Sequence, residues 1–161
     1  MESVRIVEAD LNATEHQEAV LKLIDAYAAD PMGNGKPLSS EVRRDLIPGL
    51  RQHPTTLIFL AYDRDRPVGI AVCFRGFSTF AARPLINIHD LAVLPEYRSK
   101  GIGRRLIHEV ERKARAINCC KLTLEVQEKN NRARKMYEQV GFAQAMYKQA
   151  AGGVLFLSKP L

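Results

Sequence analysis

The sequence predicts a single α/β (α+β) domain in which a mixed, mostly antiparallel sheet is flanked by about four helices. Strand-like and helix-like segments alternate along the chain, as they do where helices cover a sheet. One succession of strand, helix and strand, residues 85–94, 101–117 and 121–127, implies a parallel pair at the centre of the sheet, because a helical crossover returns the chain in the same direction. The 161 residues, 46% of them hydrophobic, are enough for one core, so we expect one domain over residues 1–161.

The first half of the chain is predicted to form a strand, two helices and a hairpin. Apolar residues that alternate with polar ones are typical of strands, and apolar residues three and four positions apart are typical of helices. The predicted strands are residues 3–9, 55–62 and 68–77, and the predicted helices are residues 13–28 and a segment that begins at Ser39. We expect Pro48 to break or kink this second helix, because proline removes a hydrogen-bond donor.

The second half is predicted to form four strands and two helices. The predicted strands are residues 85–94, 121–127, 142–147 and 154–158, and the predicted helices are residues 101–117 and 130–140. Gly141 is expected to end the last helix, and the pair Gly152 and Gly153 is expected to form the turn of a closing hairpin.

The connection from strand 85–94 into helix 101–117 is a candidate anion site. It reads Arg-Ser-Lys-Gly-Ile-Gly-Arg over residues 98–104. Glycines allow a close approach of the backbone, and the unpaired amides of a first helical turn favour an anion. A P-loop requires a lysine and then a serine or threonine directly after its second glycine, and no glycine of this sequence is followed by that pair at the required spacing. A dinucleotide fingerprint requires a third glycine where this sequence has Leu106. From this loop alone, a turn that merely begins a helix is an equal alternative.

Two motifs taken together resemble those of the GNAT superfamily of acetyl-CoA-dependent N-acetyltransferases. The first is Arg98-x-x-Gly101-x-Gly103 between an apolar strand and a helix, and the second is Asn-Asn-Arg-Ala-Arg-Lys-Met-Tyr-Glu-Gln-Val-Gly-Phe over residues 130–142. The resemblance covers the element order of the whole chain and, in its motifs, residues 86–142. It implies a GNAT-like sheet with a central, splayed parallel pair. Residues 77–90 are similar to the diamine and polyamine acetyltransferase branch.

The resemblance implies acetyl-CoA as cosubstrate and no metal. The pyrophosphate would rest on the amides of residues 98–104, and the pantetheine arm would pair with the backbone of residues 91–93. Asn130 matches a further cofactor contact of the family, with helix capping as its alternative role. The cofactor-binding residues that follow from the resemblance are Leu91, Ala92, Val93, Arg98, Ser99, Lys100, Gly101, Ile102, Gly103, Arg104 and Asn130.

Direct acetyl transfer in a ternary complex requires a base and an acid. An alkylammonium, with a pKa of about 10.4, must lose a proton before it can attack. His89 stands where the polyamine branch has a glutamate, and strand alternation would place it on one face with Leu91 and Val93 and put Asp90 on the other. Tyr137 matches the family tyrosine that protonates the departing thiolate. Structural roles for His89 and Tyr137 are the alternatives, and Asp90 is expected to be a structural carboxylate.

The acceptor is expected to be a small amine or polyamine. The topology of the family points to Tyr27, Asp30 and Phe80 as substrate residues. An acetyltransferase of protein N-termini or lysines, and a noncatalytic acyl-CoA-binding regulatory domain, remain as other interpretations. The net charge of +6 favours anionic partners, but basic and acidic residues are mixed along each helix, so we expect no nucleic-acid partner.

The remaining expectations concern the surroundings of the protein. No leader segment is recognisable, and no stretch reaches the roughly 18 apolar residues needed to span a bilayer, so we expect a cytoplasmic protein without a membrane partner. Three cysteines without metal-ligand spacing indicate reduced thiols. A homodimer is a habit of the resembled family and is expected on that ground alone.

Overall fold

The computed structural model describes residues 4–161, so the first residue of the predicted strand 3–9, Ser3, lies outside the described residues. Contacts group the chain into two compact units, one ending at Glu125 and one running from Val126 to Leu161. The expectation of a single domain over residues 1–161 stays a prediction. The strands are β1 (Val4–Glu8), β2 (Thr56–Asp63), β3 (Arg66–Ser78), β4 (Arg83–Val93) and β5 (Leu122–Leu124), and the helices are α1 (Thr14–Ala29), α2 (Ser40–Gln52), α3 (Ile102–Ala116) and α4 (Asn131–Gln139).

The first unit contains a five-stranded sheet in the order β1-β2-β3-β4-β5. Strands β1 to β4 pair antiparallel and β4 pairs parallel with β5, which confirms the predicted mixed, mostly antiparallel sheet. The parallel pair lies at the edge of the described sheet and not at its centre. It covers only residues 86–88 of β4, where the Asn87 side chain donates a hydrogen bond of 3.0 Å to the Thr123 hydroxyl.

Helices cover both faces of this sheet. On one face α1 packs against β2 and β3 in a core cluster that comprises Ala19, Val20, Leu23, Ile58, Leu60, Tyr62, Ile70 and Val72. On the other face lies α3. A Cβ added at Gly69 would stand 3.3 Å from the side chains of Ile102 and Leu106, while its neighbour Ile70 points to α1. We call these the α1 face and the α3 face.

Helix α3 follows its sequence pattern closely. The apolar residues Leu106, Ile107, Val110 and Ala114, which recur at helical spacing, are buried, and Ile117 is half-buried. Arg104, Arg105 and Arg112 of the same helix are exposed. Because the apolar stripe is fixed by packing, the start of the helix at Ile102 is fixed too.

Helix α2 continues through Pro48, so the proline does not break the helix, and the alternative expectation of a kink stays a prediction. Its first turn is capped by the Ser39 hydroxyl, which accepts a hydrogen bond from the Val42 amide. Ile47 and Leu50, on either side of the proline, both pack against the core cluster. Burial of these two side chains holds the helical turn despite the missing donor.

The predicted closing hairpin is also not formed as strands. The structure assigns no strand to residues 142–161 and places a short 3-10 helix, Gln149–Ala151, just before the expected turn at Gly152. One backbone hydrogen bond, from the Val154 amide to the Ala145 carbonyl at 2.9 Å, joins the two segments. Apolar composition favours a strand, but a strand requires a ladder of bonds to a partner, and a single bond is not a ladder.

Candidate functional site

The loop of residues 98–104, which we call the cofactor loop, leads into α3 with its backbone turned sharply. Ser99 and Gly101 both have positive φ, 60° and 79°. Arg105 donates the first intrahelical bond, to the Gly101 carbonyl at 3.0 Å, so the amides of the first turn from Ile102 onward have no helical acceptor. Apart from the adjoining residues of the chain, no heavy atom lies within 4 Å of the position that a Cβ on Gly101 would take. An open space therefore lies beside the N-terminus of the helix.

The base of the cofactor loop is fixed by Tyr97. Its hydroxyl donates to the Asp63 carboxylate at 3.1 Å. The Lys100 ammonium lies 5.0 Å from the centre of the Tyr97 ring, and the Arg66 guanidinium lies 5.3 Å from it. Arg66 is paired with Glu96, so it is the contact of Lys100 with Tyr97 that keeps positive charge next to the start of α3, where the helix dipole already favours an anion.

Arg98 links the cofactor loop to the end of β4 and to the end of α1. Its amide donates to the Pro95 carbonyl at 3.2 Å, and its Nε donates to the Val93 carbonyl at 2.9 Å. The guanidinium also forms an ion pair with Asp30, in which the side chains are 25% and 9% exposed. The amide and guanidinium of Arg98 are therefore engaged within the protein, and the role of Arg98 toward a cofactor stays a prediction.

Strand β4 has one unpaired side next to this loop. Among the described residues no strand pairs with residues 89–93 on the side away from β3. Because the Leu94 amide bonds the Val68 carbonyl and antiparallel pairs alternate, the backbone groups of Ala92 turn to β3 and those of Leu91 and Val93 turn to the open side. Of the three residues expected to meet a pantetheine arm, Leu91 and Val93 are thus oriented for it, although Arg98 already bonds the Val93 carbonyl.

A β-bulge in β4 overturns the predicted alternation around His89. Cys73 pairs with Ile88 and Val72 pairs with Asp90, so His89 is an extra residue in the ladder. Asp90 shares a face with Val72, which belongs to the α1 cluster. His89 lies on the same face, since its ring contacts that of Phe74, which packs against this cluster. Both residues therefore face α1, and the prediction that Asp90 points away from His89 is wrong.

His89 is exposed and is held by an aromatic contact. Its ring stands edge-on to the Phe74 ring at a centroid distance of 5.4 Å, and the His53 ring meets Phe74 in the same way at 5.0 Å. A solvent-accessible imidazole in a defined orientation can exchange protons with a bound ligand. This placement is compatible with the base role inferred for His89.

Asp90 lies next to His89, and Tyr27 lies near Asp90. Burial raises the pKa of Asp90, and the adjacent His89 acts in the opposite direction. Burial also raises the pKa of Tyr27, and the negative charges of Asp90 and then Asp30 raise it further. Tyr27, a predicted substrate residue, thus lies near both Asp90 and Asp30, the latter also a predicted substrate residue. Sequence reasoning missed Asp90 because a bulge leaves no mark in the alternation of residues.

The second unit carries Asn130 and Tyr137. The Asn130 side chain caps α4 by accepting a hydrogen bond of 3.3 Å from the Ala133 amide, so its capping role is real. The half-buried Tyr137 ring packs edge-on against Phe142 at 5.8 Å, and Gly141, with a φ of 98°, turns the chain between them. Their roles toward a cofactor stay predictions.

The remaining residues considered for chemistry are Phe80 and the three cysteines. Phe80 lies at the turn between β3 and β4 and is 91% exposed. Burial raises the pKa of Cys73 to about 12, so this thiol stays protonated and is no nucleophile. Cys119 and Cys120 are half-buried free thiols. Within residues 4–161, no three metal-ligating side chains cluster, and no helix is long and apolar enough to cross a membrane.

Known proteins share this combination of sheet, loop and helix. Residues 20–142 match the acetyltransferase (GNAT) family. The match covers well over half of the chain, so the protein belongs to this family. The predicted GNAT resemblance is confirmed.

Two curated relatives match parts of the chain. One is the uncharacterized N-acetyltransferase YhfO of Bacillus subtilis (strain 168), 30% identical over 54% of this chain and 58% of its own length. The other is the thialysine N-epsilon-acetyltransferase of Bos taurus, 36% identical over 46% of this chain and 43% of its own length. The chain thus matches about half the length of each relative.

The fold is also shared with solved structures. The crystal structure of a "probable acetyltransferase" superposes with a TM-score of 0.79 at 23% identity, over 97% of this chain and 99% of that one. At this identity the likeness establishes the fold, and the acceptor has to be inferred from the site itself.

Proposed function

We propose that this protein transfers an acetyl group from acetyl-CoA to a primary amine by direct attack in a ternary complex. The observation that carries the proposal is the corner where β4 ends and α3 begins. There the open first turn of α3 and the unpaired side of β4 follow one another along the chain. A cofactor with a diphosphate and a long arm containing amides needs both kinds of contact. Membership of the GNAT family supports acetyl-CoA, among possible anionic ligands, as the occupant of this corner.

The cofactor would be held mainly by backbone. The diphosphate would accept hydrogen bonds from amides between Ser99 and Arg104. The arm would pair with the open backbone groups of Leu91 and with the Val93 amide, since Arg98 already bonds the Val93 carbonyl. The positive charge of Lys100 adds long-range attraction. Binding through backbone fixes the thioester relative to β4, so the carbonyl carbon would come close to the bulge at His89.

The acetyl transfer requires two proton transfers, one from the amine and one to the departing sulfur. The amine nitrogen forms a bond to the acetyl carbon, the bond from that carbon to sulfur breaks, and the amine gives up a proton. His89 is the proposed acceptor of that proton, directly or through one water. Tyr137 is the proposed donor of a proton to the sulfur, a role that rests on its position in the segment 130–142.

A small amine or polyamine is the proposed acceptor. The half-buried carboxylate of Asp90, next to His89 and Tyr27, favours a cationic group on the α1 face. The partial likeness to a relative named for N-epsilon acetylation supports an acceptor with an alkyl amine.

Two measurements test this function. Calorimetry should detect CoA binding, and a thiol-release assay with acetyl-CoA should show saturation by members of a panel of diamines, polyamines and amino acids. Peptides added to the panel distinguish the alternatives: saturation by peptides alone would favour an acetyltransferase of protein amines. Binding of CoA without turnover on any amine would favour an acyl-CoA-binding regulatory domain, and no binding at all would refute the proposal.

A further inference from the structure

The loop between α1 and α2, residues 30–38, is tied to the end of α1 by backbone bonds. In this α1–α2 loop, Asn34 and Lys36 donate to the Ala28 carbonyl, in the last turn of α1, at 3.0 and 3.2 Å. Gly33 and Gly35 donate to the carbonyl of Asp30, the residue that follows the helix, at 2.9 and 3.2 Å. The approach is close enough that a Cβ on Gly33 would stand 2.0 Å from the Tyr27 carbonyl oxygen. The position of the loop therefore follows that of Tyr27 and Asp30.

Side chains anchor the same loop at two points. At its far end, Asp25 accepts from the Leu38 amide at 3.0 Å and forms a salt bridge of 2.7 Å with Arg43. At its near end, the Asp30 carboxylate accepts from the Met32 amide at 2.9 Å and pairs with Arg98. The first anchor stays within α1, α2 and their loop, whereas the second reaches 68 residues along the chain to the cofactor loop.

Arg98 is thus shared by three segments. Its Nε bonds the Val93 carbonyl at the end of β4, its amide closes the turn before the cofactor loop, and its guanidinium holds Asp30. The planar guanidinium can satisfy two acceptors at fixed angles, which a lysine cannot do. A displacement of the cofactor loop must therefore move Asp30 or break a largely buried ion pair.

We propose that the ion pair between Asp30 and Arg98 couples the cofactor loop to the α1–α2 loop, so that binding of CoA orders the wall on which the acceptor rests. Asp30 is then a positioning residue and not a substrate ligand. The inference rests on the proposed function, because it takes CoA as the occupant of the cofactor loop. Coupling of this kind is reciprocal, so an acceptor that orders the α1–α2 loop would also tighten CoA binding.

Hydrogen exchange on the full chain, with and without CoA, tests the coupling. In the wild type, CoA should slow exchange of the amides of residues 33–36 by about fivefold or more, the lower range of typical coupling between sites. Asp30→Asn keeps an acceptor for the Met32 amide but removes the charge, so it should abolish this CoA-dependent slowing. Asp30→Glu, which restores the charge, should recover part of it.

Asp25→Asn is the matched control. It weakens an anchor of the same loop that has no link to the cofactor loop, so basal exchange should rise while the slowing by CoA persists. Arg98→Lys should lose the slowing, and the double variant with Asp30→Asn should lose no more than either single one. Thermal unfolding of each variant checks that it is folded.

The outcomes separate the two proposals. If calorimetry shows CoA binding but residues 33–36 exchange at the same rate in its presence, the coupling is refuted and the proposed function stands. The coupling is equally refuted if Asp30→Asn keeps the slowing, or if Asp25→Asn loses it as well. If CoA does not bind the wild type, the proposed function fails and the coupling fails with it.

Discussion

Replacement of Gly101 by alanine should separate backbone strain from loss of the anion site. Gly101 has a φ of 79°, in the left-handed region that costs a residue with a Cβ roughly 1–2 kcal/mol. Apart from the adjoining residues of the chain, the new methyl group would meet no atom within 4 Å, so backbone strain is the main cost to folding. It would, however, stand in the open space beside the first turn of α3.

The expected loss of affinity follows from the bonds at stake. A hydrogen bond to a charged group contributes roughly 1.5–3 kcal/mol, so displacement of one phosphate contact should weaken CoA binding by roughly 10- to 100-fold. Calorimetry with CoA measures this loss, and thermal unfolding measures the strain separately.

Gly35→Ala provides the control. Gly35 has a φ of 73° and also no atom near its missing Cβ, but it lies in the α1–α2 loop. It should show a loss of stability like that of Gly101→Ala, with CoA affinity changed by much less. A lost phosphate contact should lower the CoA affinity by about tenfold. If folded Gly101→Ala binds CoA with an affinity within about twofold of that of the wild type, the inference of an anion site at the start of α3 is wrong.

Three other substitutions test the groups around the bulge and in the second unit. Burial raises the pKa of Asp90 in the folded state, against the opposing effect of His89, so the stability that Asp90 contributes is full at low pH and is lost as the pH rises through that raised pKa. Asp90→Asn should therefore gain stability relative to the wild type from acid to neutral pH, and a constant difference in urea unfolding would contradict this. His89→Gln should flatten the acidic limb of the profile of kcat/KM against pH, whereas an unaltered limb would exclude the imidazole as base. Tyr137→Phe should lower kcat with little change in CoA affinity, and equal losses in both would argue against an acid role.

Most of the fold followed from local patterns that packing left intact. The amphipathic stripe of α3 predicted its buried face and its start at the cofactor loop, because a helix covering a sheet must turn its apolar side inward. The antiparallel hairpin of β2 and β3 and the parallel crossover into β5 were predicted for similar reasons. The prediction was wrong at the C-terminal segments, and the break considered at Pro48 did not occur, because contacts remote in sequence decide whether a helix continues or a ladder forms.

The candidate site divides in the same way. By itself the sequence determined the family and predicted an anion site in the cofactor loop, because glycines and first-turn amides act locally and their spacing is visible in the chain. Only the tertiary structure decided which way His89 and Asp90 face, since a single extra residue in the ladder of β4 reverses the alternation. It also decided that Arg98 forms an ion pair with Asp30, 68 residues away. No local sequence pattern shows which distant carboxylate the folded chain brings next to a guanidinium.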